Sequence, residues 1–173
     1  MIDPPWNERG GGKIKRGADR HYDLLKTKDI LKVILGCSYW GNIEENSHLY
    51  LWTTNTFLPD ALWLMDALDY RYVSNAVWVK PYMGLGQYFR GQHELLLFGT
   101  RGKRPTEPRT ALRNIPSVVK APKGEHSVKP EESYRLIEKR SKGPYLELFG
   151  RRAREDWTIW GKEAPQQGIE AAK

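Results

Sequence analysis

The chain has 173 residues, with 28 Lys and Arg against 21 Asp and Glu, for a formal net charge of +7. Its length suits one domain of ordinary size, and its hydrophobic share of 39% is too high for a disordered chain. No apolar run nears the roughly 20 residues a bilayer span needs, and no charged-then-apolar leader opens the sequence, so a soluble, cytoplasmic protein is expected.

Met1-Ile2-Asp3 reads as the end of a strand, stopped by Pro4-Pro5, which cannot donate to a ladder. Thr27 to Leu35 reads as a helix with Thr27 as N-cap and Gly36 closing it. His48 to Thr53 is a short run of strand formers. Leu58, Ala61, Leu62, Met65 and Leu68 recur at spacings of three and four, which predicts a helix over Phe57 to Leu68. Phe57, Trp63 and Met65 are expected in the core. Asp69 to Val79 and His93 to Gly99 read as strands, and Val118-Val119 as a short one. Pro130 to Arg140 is helical, with Pro130 in its first turn. Tyr145 to Phe149 and Trp157 to Trp160 are the last strands, and residues 164–173 form a flexible tail.

Strands alternating with helices predict an α/β fold with crossover connections. Several strands are apolar throughout, as in a mostly parallel sheet covered by helices on both faces. Ligands in such sheets sit at the carboxyl ends of the strands, where Asp3, Lys80 and Gly150 fall.

The lone cysteine, Cys37, excludes an internal disulfide and a zinc site built on paired cysteines, and it reads as a buried spectator. None of His21, His48, His93 and His126 has metal-ligand spacing, so no metal is expected. Arg9-Gly10-Gly11-Gly12-Lys13 lacks the Ser or Thr that a phosphate loop places after Gly-Lys, because Ile14 stands there. It reads as a flexible basic loop.

The positive charge is clustered. Residues 101–129 carry eight Lys and Arg against two acids, and residues 8–32 carry eight against four. Two basic, Gly- or Pro-rich stretches on one small domain suit a polyanion, most simply a nucleic acid.

Asp3-Pro4-Pro5-Trp6 concentrates the chemistry. An exocyclic amine on a planar base is a poor nucleophile, because its lone pair is delocalised into the ring. A carboxylate accepting one amine hydrogen favours the positive charge that develops on nitrogen, and the Pro4 carbonyl is placed to accept the other. Two prolines hold these acceptors still, and Trp6 offers a flat face for a base to stack on. The same four residues also suit a strand-ending turn with a core tryptophan.

This tetrapeptide resembles the signature of the MT-A70-like adenine methyltransferases. Further resemblance follows in order: Leu51-Trp52-Thr53; Ala76-Val77-Trp78-Val79-Lys80; Gly91-Gln92-His93-Glu94 with Leu97-Phe98-Gly99; His126-Ser127-Val128-Lys129-Pro130-Glu131; Glu147-Leu148-Phe149-Gly150-Arg151; and Trp157-Thr158-Ile159-Trp160-Gly161. Together these span residues 1–163, read as a single methyltransferase domain.

The resemblance implies a Rossmann-like fold in permuted order, with the catalytic tetrapeptide first and the Phe-Gly cofactor strand last. Against the family pattern, the strand before the tetrapeptide reads as shortened. It implies S-adenosylmethionine (SAM) as cofactor and direct methyl transfer to the 6-amino group of adenine. Asp3, Pro4, Pro5 and Trp6 would be catalytic. Asp3, Pro5, Lys129, Phe149, Gly150, Arg151, Lys162 and Glu163 would line the cofactor. Lys162 stands where many relatives have Asn. Trp6, Tyr22, Lys80, Arg104 and Arg109 would meet the substrate.

The compact form resembles bacterial and phage members, which favours DNA, with RNA as the alternative polymer. A monomer or homodimer is expected, with room for a protein partner. A catalytically silent nucleic-acid-binding partner is the competing class, although such relatives typically lose the tetrapeptide.

Overall fold

The computed structural model describes residues 1–7, 25–84, 86, 88–103, 114–124 and 128–165. Helix α1 spans Thr27–Leu35, strand β1 Ser47–Thr53, α2 Leu58–Ala67, β2 Arg71–Val79 and β3 His93–Arg101. Strand β4 follows at Val118–Lys120, then α3 Glu131–Arg140, β5 Tyr145–Leu148 and β6 Trp157–Trp160. The last two strands pair in parallel, and the other four are ordered β1-β3-β2-β4.

Ile2 joins the two groups. It bridges in parallel to Leu51 of β1 and to Leu148 of β5. Its N–H donates to the Tyr50 carbonyl at 2.8 Å, and its own carbonyl accepts from the Trp52 N–H at 2.9 Å. On the other side, the Leu148 N–H reaches the Met1 carbonyl at 3.0 Å. The expected strand end at residues 1–3 therefore forms and completes the sheet.

The sheet is mixed rather than mostly parallel, because β3 runs antiparallel to both β1 and β2. The cause is local. No helix separates β2 from β3, and a direct return without a crossover yields an antiparallel pair.

Two cores cover the sheet. Leu49 and Leu51 of β1 pack with Ile30 and Ile34 of α1 and with Ala61, Leu64 and Met65 of α2. Tyr50 and Trp52, pointing the other way, pack with Trp78, Leu96, Ile137 of α3, Trp157 and Ile159. A strand buried on both faces has no polar side to show, which is why β1 reads as an apolar run. Strand β2 departs from this: Arg71 to Ser74 are exposed, and its burial begins only at Ala76. Helix α2 lies close on the sheet at Gly99, where a Cβ would overlap the Met65 side chain and stand 3.0 Å from the Arg71 carbonyl.

Three local expectations change. Trp63 faces solvent at 43% exposure, whereas Met65 is fully buried and Phe57 is partly so. Thr27 begins α1 inside the helix, with Lys26 as its cap residue. The Thr27 hydroxyl instead donates to Asp60 Oδ1 at 2.5 Å, tying α1 to α2. Pro130 precedes α3 as its extended cap residue, and the Ser133 hydroxyl and N–H both return to its carbonyl. Cys37 is buried with a free thiol. Among the described residues, no helix is long and apolar enough to cross a membrane.

Candidate active site

Parallel strands end on one rim, and an antiparallel neighbour begins there. The sheet therefore gathers Asp3 after Ile2, Lys80 after β2, Glu94 at the start of β3, Phe149-Gly150-Arg151 after β5 and Glu163 after β6. Lys129 enters the same rim just ahead of α3. The Asp3 N–H donates to the Leu148 carbonyl at 3.3 Å, so the first tetrapeptide stands one residue from Phe149.

Four charged groups form a chain there. Lys129 Nζ lies 2.8 Å from Asp3 Oδ1 and 3.4 Å from Glu94 Oε2. Lys80 Nζ meets Glu94 Oε1 at 2.5 Å. Two indole rings support the cations: Lys129 sits 5.4 Å from the Trp52 ring centre and Lys80 4.8 Å from that of Trp78.

The two carboxylates titrate oppositely. Burial pushes Asp3 above the ordinary carboxylate range, only partly offset by the Lys129 ammonium. Burial acts on Glu94 in the same direction, but Lys129 and Lys80 together outweigh it and hold Glu94 below that range. One cation is thus shared between two acids, and Glu94 has a second cation, Lys80, beside it.

Behind them lies Glu147, 5% exposed, accepting hydrogen bonds from the Tyr134 hydroxyl at 3.1 and 3.2 Å. Burial raises it to about 7. The Met1 ammonium, which donates to the Leu146 carbonyl at 2.6 Å, is lowered to about 6 by burial. Glu94 and Glu147 are functional candidates that the residue pattern left without a role. Glu147 is an acid inside the otherwise apolar β5, which was an available signal, whereas Glu94 at the start of β3 offered none.

The tetrapeptide is braced. The Pro4 carbonyl accepts the Trp6 N–H at 2.8 Å, and the Pro5 carbonyl accepts the Leu25 N–H at 2.9 Å. The expected second acceptor for an amine, Pro4, is therefore already half used.

Trp6 is not an open stacking platform. It is 7% exposed, its indole N–H donates to the Trp52 carbonyl at 2.9 Å, and its ring stacks on Phe57 with centroids 5.5 Å apart. A buried indole needs its donor satisfied, and meeting that need locks the ring into the core. In this structure the Trp6 ring faces the core rather than the open rim.

The closing strands place the remaining cofactor-side residues. Phe149 adopts φ 64°, turning the chain sharply out of β5, and its ring meets Trp160 edge-on at 6.2 Å. The Gly150 N–H donates to the Trp160 carbonyl at 3.2 Å, holding the ends of β5 and β6 together. Arg151 Nε then lies 3.1 Å from Glu163 Oε2. Lys162 beside it is exposed. Tyr22, Arg104, Arg109, the glycine-rich loop and His126-Ser127 lie outside the described residues.

At the opposite end of β1 and β5 a cavity of about 640 Å³ is lined by His48, Tyr50, Ser141 and Tyr145 among others. The Ser141 hydroxyl joins His48 Nδ1 and the Tyr50 hydroxyl, each at 2.6 Å. Met1, Ile2 and Leu148 also line this cavity, each just ahead of a residue of the charged rim.

The MT-A70 family model matches residues 1–163. The chain belongs to the MT-A70 family. MT-A70 proteins are methyltransferases that use SAM, and membership brings a Rossmann-like fold, with which this α/β sheet agrees. The type II methyltransferase M.MunI from a Mycoplasma species is 29% identical over 192 residues, covering 97% of this chain and 78% of that protein.

The donor set at the MT-A70 rim fits SAM. The cofactor carries an ammonium, a carboxylate, a sulfonium and a ribose diol. Asp3, Lys129, Arg151 and Glu163 supply anions and cations at one strand edge, two of each.

Proposed function

We propose that the protein transfers a methyl group from SAM to the 6-amino group of adenine in DNA. The single observation carrying this reading is the Asp3 N–H bound to the Leu148 carbonyl, which sets the Asp-Pro-Pro-Trp turn beside Phe149-Gly150-Arg151. A hydrogen-bond acceptor for an amine and a binding edge for the methyl donor then share one rim.

SAM, when bound, supplies an electrophilic methyl group on a sulfonium. Every other task falls to the chain. Asp3 accepts one hydrogen of the target amine, drawing its lone pair out of conjugation and favouring the positive charge that develops on nitrogen, and its carboxylate takes up the proton that the methylated amine gives off. The remaining lone pair of the Pro4 carbonyl accepts the second hydrogen. Lys129 fixes the Asp3 carboxylate at 2.8 Å, and Glu94 in turn fixes Lys129. Trp6, locked against Phe57, keeps the turn from shifting. Arg151, Glu163 and Lys162 serve the cofactor's ribose and carboxylate side, with Phe149, Gly150 and Pro5 shaping its walls. Lys80, Tyr22, Arg104 and Arg109 serve the substrate side.

DNA is favoured because the M.MunI relative is named a type II methyltransferase. The net charge of +7 suits either polymer. Retention of Asp3 at the rim speaks against a catalytically silent partner.

The test is methyl transfer from labelled SAM to DNA and RNA of mixed sequence, followed by nucleoside analysis. N6-methyladenine in DNA above that in RNA is the expected product. Preferential labelling of RNA would replace the substrate. Raised thermal stability with SAM but no transfer to either polymer would overturn the reading.

A further inference from the structure

Tyr82, Met83, Tyr88 and Phe89 are 84%, 65%, 93% and 89% exposed. No other large hydrophobic among the described residues exceeds the 55% of Leu35. All four lie in the single loop between β2 and β3. Isolated apolar residues on a surface need no explanation, but four of this size on one projection do.

The loop is built rather than slack. Its stem is closed by the Lys80 N–H on the Gln92 carbonyl at 2.8 Å and by the Gly84 N–H on the Gly91 carbonyl at 2.7 Å. Arg90 Nε donates to the Gly84 carbonyl at 2.6 Å. The turn is so tight that a Cβ at Gly86 would overlap the Phe89 carbonyl. These bonds close the described part of the loop on itself, while the rings of Tyr82, Tyr88 and Phe89 stay exposed.

Its position matters as much as its shape. The two stems are Lys80 and Glu94, which bond to each other, and Glu94 holds the lysine that holds Asp3. The projection therefore rises from the rim that carries the catalytic turn. Residues 80–93 contain no acid. Lys120 and Lys123 are exposed at the end of β4, whose Lys120 pairs with Val79 at the foot of the loop. Exposed aromatic rings on an acid-free loop, with exposed lysines beside its foot, match stacked bases on a phosphate chain.

We propose that this loop is a base-stacking finger: Tyr88 and Phe89 enter a DNA duplex and fill the gap left when the target base is drawn out toward Asp3. The inference rests on the reading of the protein as a DNA methyltransferase. A base within a duplex must leave its stack to reach such a site, and the vacancy is costly. Flat side chains that slide between base steps lower that cost. Arg90, Lys120 and Lys123, all exposed, supply cations for the flanking phosphates.

The test uses the full chain and a Tyr88→Ala/Phe89→Ala double variant. Both side chains are exposed, so the fold should survive, and an unchanged melting temperature checks this. Two readouts are compared. The first is binding, by fluorescence anisotropy, to a duplex containing one abasic site and to the intact duplex. The second is methyl transfer to mixed-sequence duplex DNA and to the same DNA heat-denatured.

The wild type should favour the abasic duplex by about tenfold, and the variant should bind both alike. The variant should lose about tenfold or more in transfer to duplex and much less on denatured DNA. A Phe89→Trp variant should keep both properties. Equal loss on both substrates, or none, would overturn the finger. So would a variant whose main change is dissociation of a wild-type oligomer, which would make the loop a protein interface. Abasic preference without any methyl transfer would leave the finger standing and remove the methyltransferase reading instead.

Discussion

Asp3 and Lys129 meet at 2.8 Å although they lie far apart in the sequence. Neither lies in a helix or a named strand, and Asp3 is held in the sheet by the bridges of Ile2 to Leu51 and Leu148. Their contact is produced by the sheet, which ends Ile2 and starts α3 at one rim. Lys129 has a second acid, Glu94, 3.4 Å away, so its charge is divided. Burial keeps Asp3 above the ordinary carboxylate range against the pull of Lys129, whereas Glu94, equally subject to burial, has Lys80 as a second cation and falls below it.

Asp3→Asn should leave the fold intact and lower methyl transfer by roughly 10²–10³, as for loss of one preorganised electrostatic group. Initial rates with labelled SAM check this, with a urea midpoint as the folding control. The sign of the pH effect follows from burial. Protonated Asp3 loses the negative charge that favours the developing positive charge on nitrogen, so the rate should rise with pH along a limb above the usual carboxylate range. Full activity in the Asn variant would contradict the assignment.

Lys129→Met removes the shared cation and leaves two buried acids facing each other. The expected cost is about 3–5 kcal/mol in unfolding free energy near neutral pH. Glu94 gives the pH dependence its direction. Its folded pKa is depressed, so its contribution is present above its unfolded value and lost as pH falls through the folded one. The penalty of the variant should therefore shrink in acid. Denaturant titrations at two pH values measure it.

Trp6→Phe separates positioning from base stacking. Phenylalanine keeps a ring against Phe57 but leaves the Trp52 carbonyl without its 2.9 Å donor. A loss of about 1–3 kcal/mol in stability is expected. Affinity for single-stranded DNA should stay unchanged. A stability-neutral variant that binds DNA more weakly would restore the stacking role.

Glu147→Gln keeps an acceptor for the Tyr134 hydroxyl and removes a titration. Burial raises the Glu147 carboxyl to about 7, with the Met1 ammonium, Tyr134, Asp3 and Lys129 around it. The folded state thus holds a proton that the unfolded chain gives up near pH 4.5, and Glu147 weakens the fold as pH rises from there to about 7. The Met1 ammonium, lowered to about 6, acts oppositely between there and 8.0. The Gln variant should match wild type near pH 5 and be more stable at pH 8 by about 1–3 kcal/mol. Equal stability at both pH values would place Glu147 outside this balance.

Much of the fold could be read from local pattern. Helix α1 occupies Thr27–Leu35 and β6 Trp157–Trp160, as their residues predict. Apolar spacing is a property of neighbours in the chain, and it registers wherever a helix or strand buries a face. The tetrapeptide's chemistry was legible for a similar reason: a carboxylate, two rigid prolines and an indole are adjacent in the sequence.

Residues far apart escaped such a reading. The turn of β3 against both its neighbours, the outward placement of Trp63 and the burial of Trp6 each depend on what packs opposite. Glu94 looks like any acid at a strand's start until the sheet brings it to Lys129. Composition and spacing specify which groups are present and how they repeat. Which of them face one another is settled by burial and hydrogen bonding summed over the whole sheet, and a pairing that closes over such distances leaves no periodic trace.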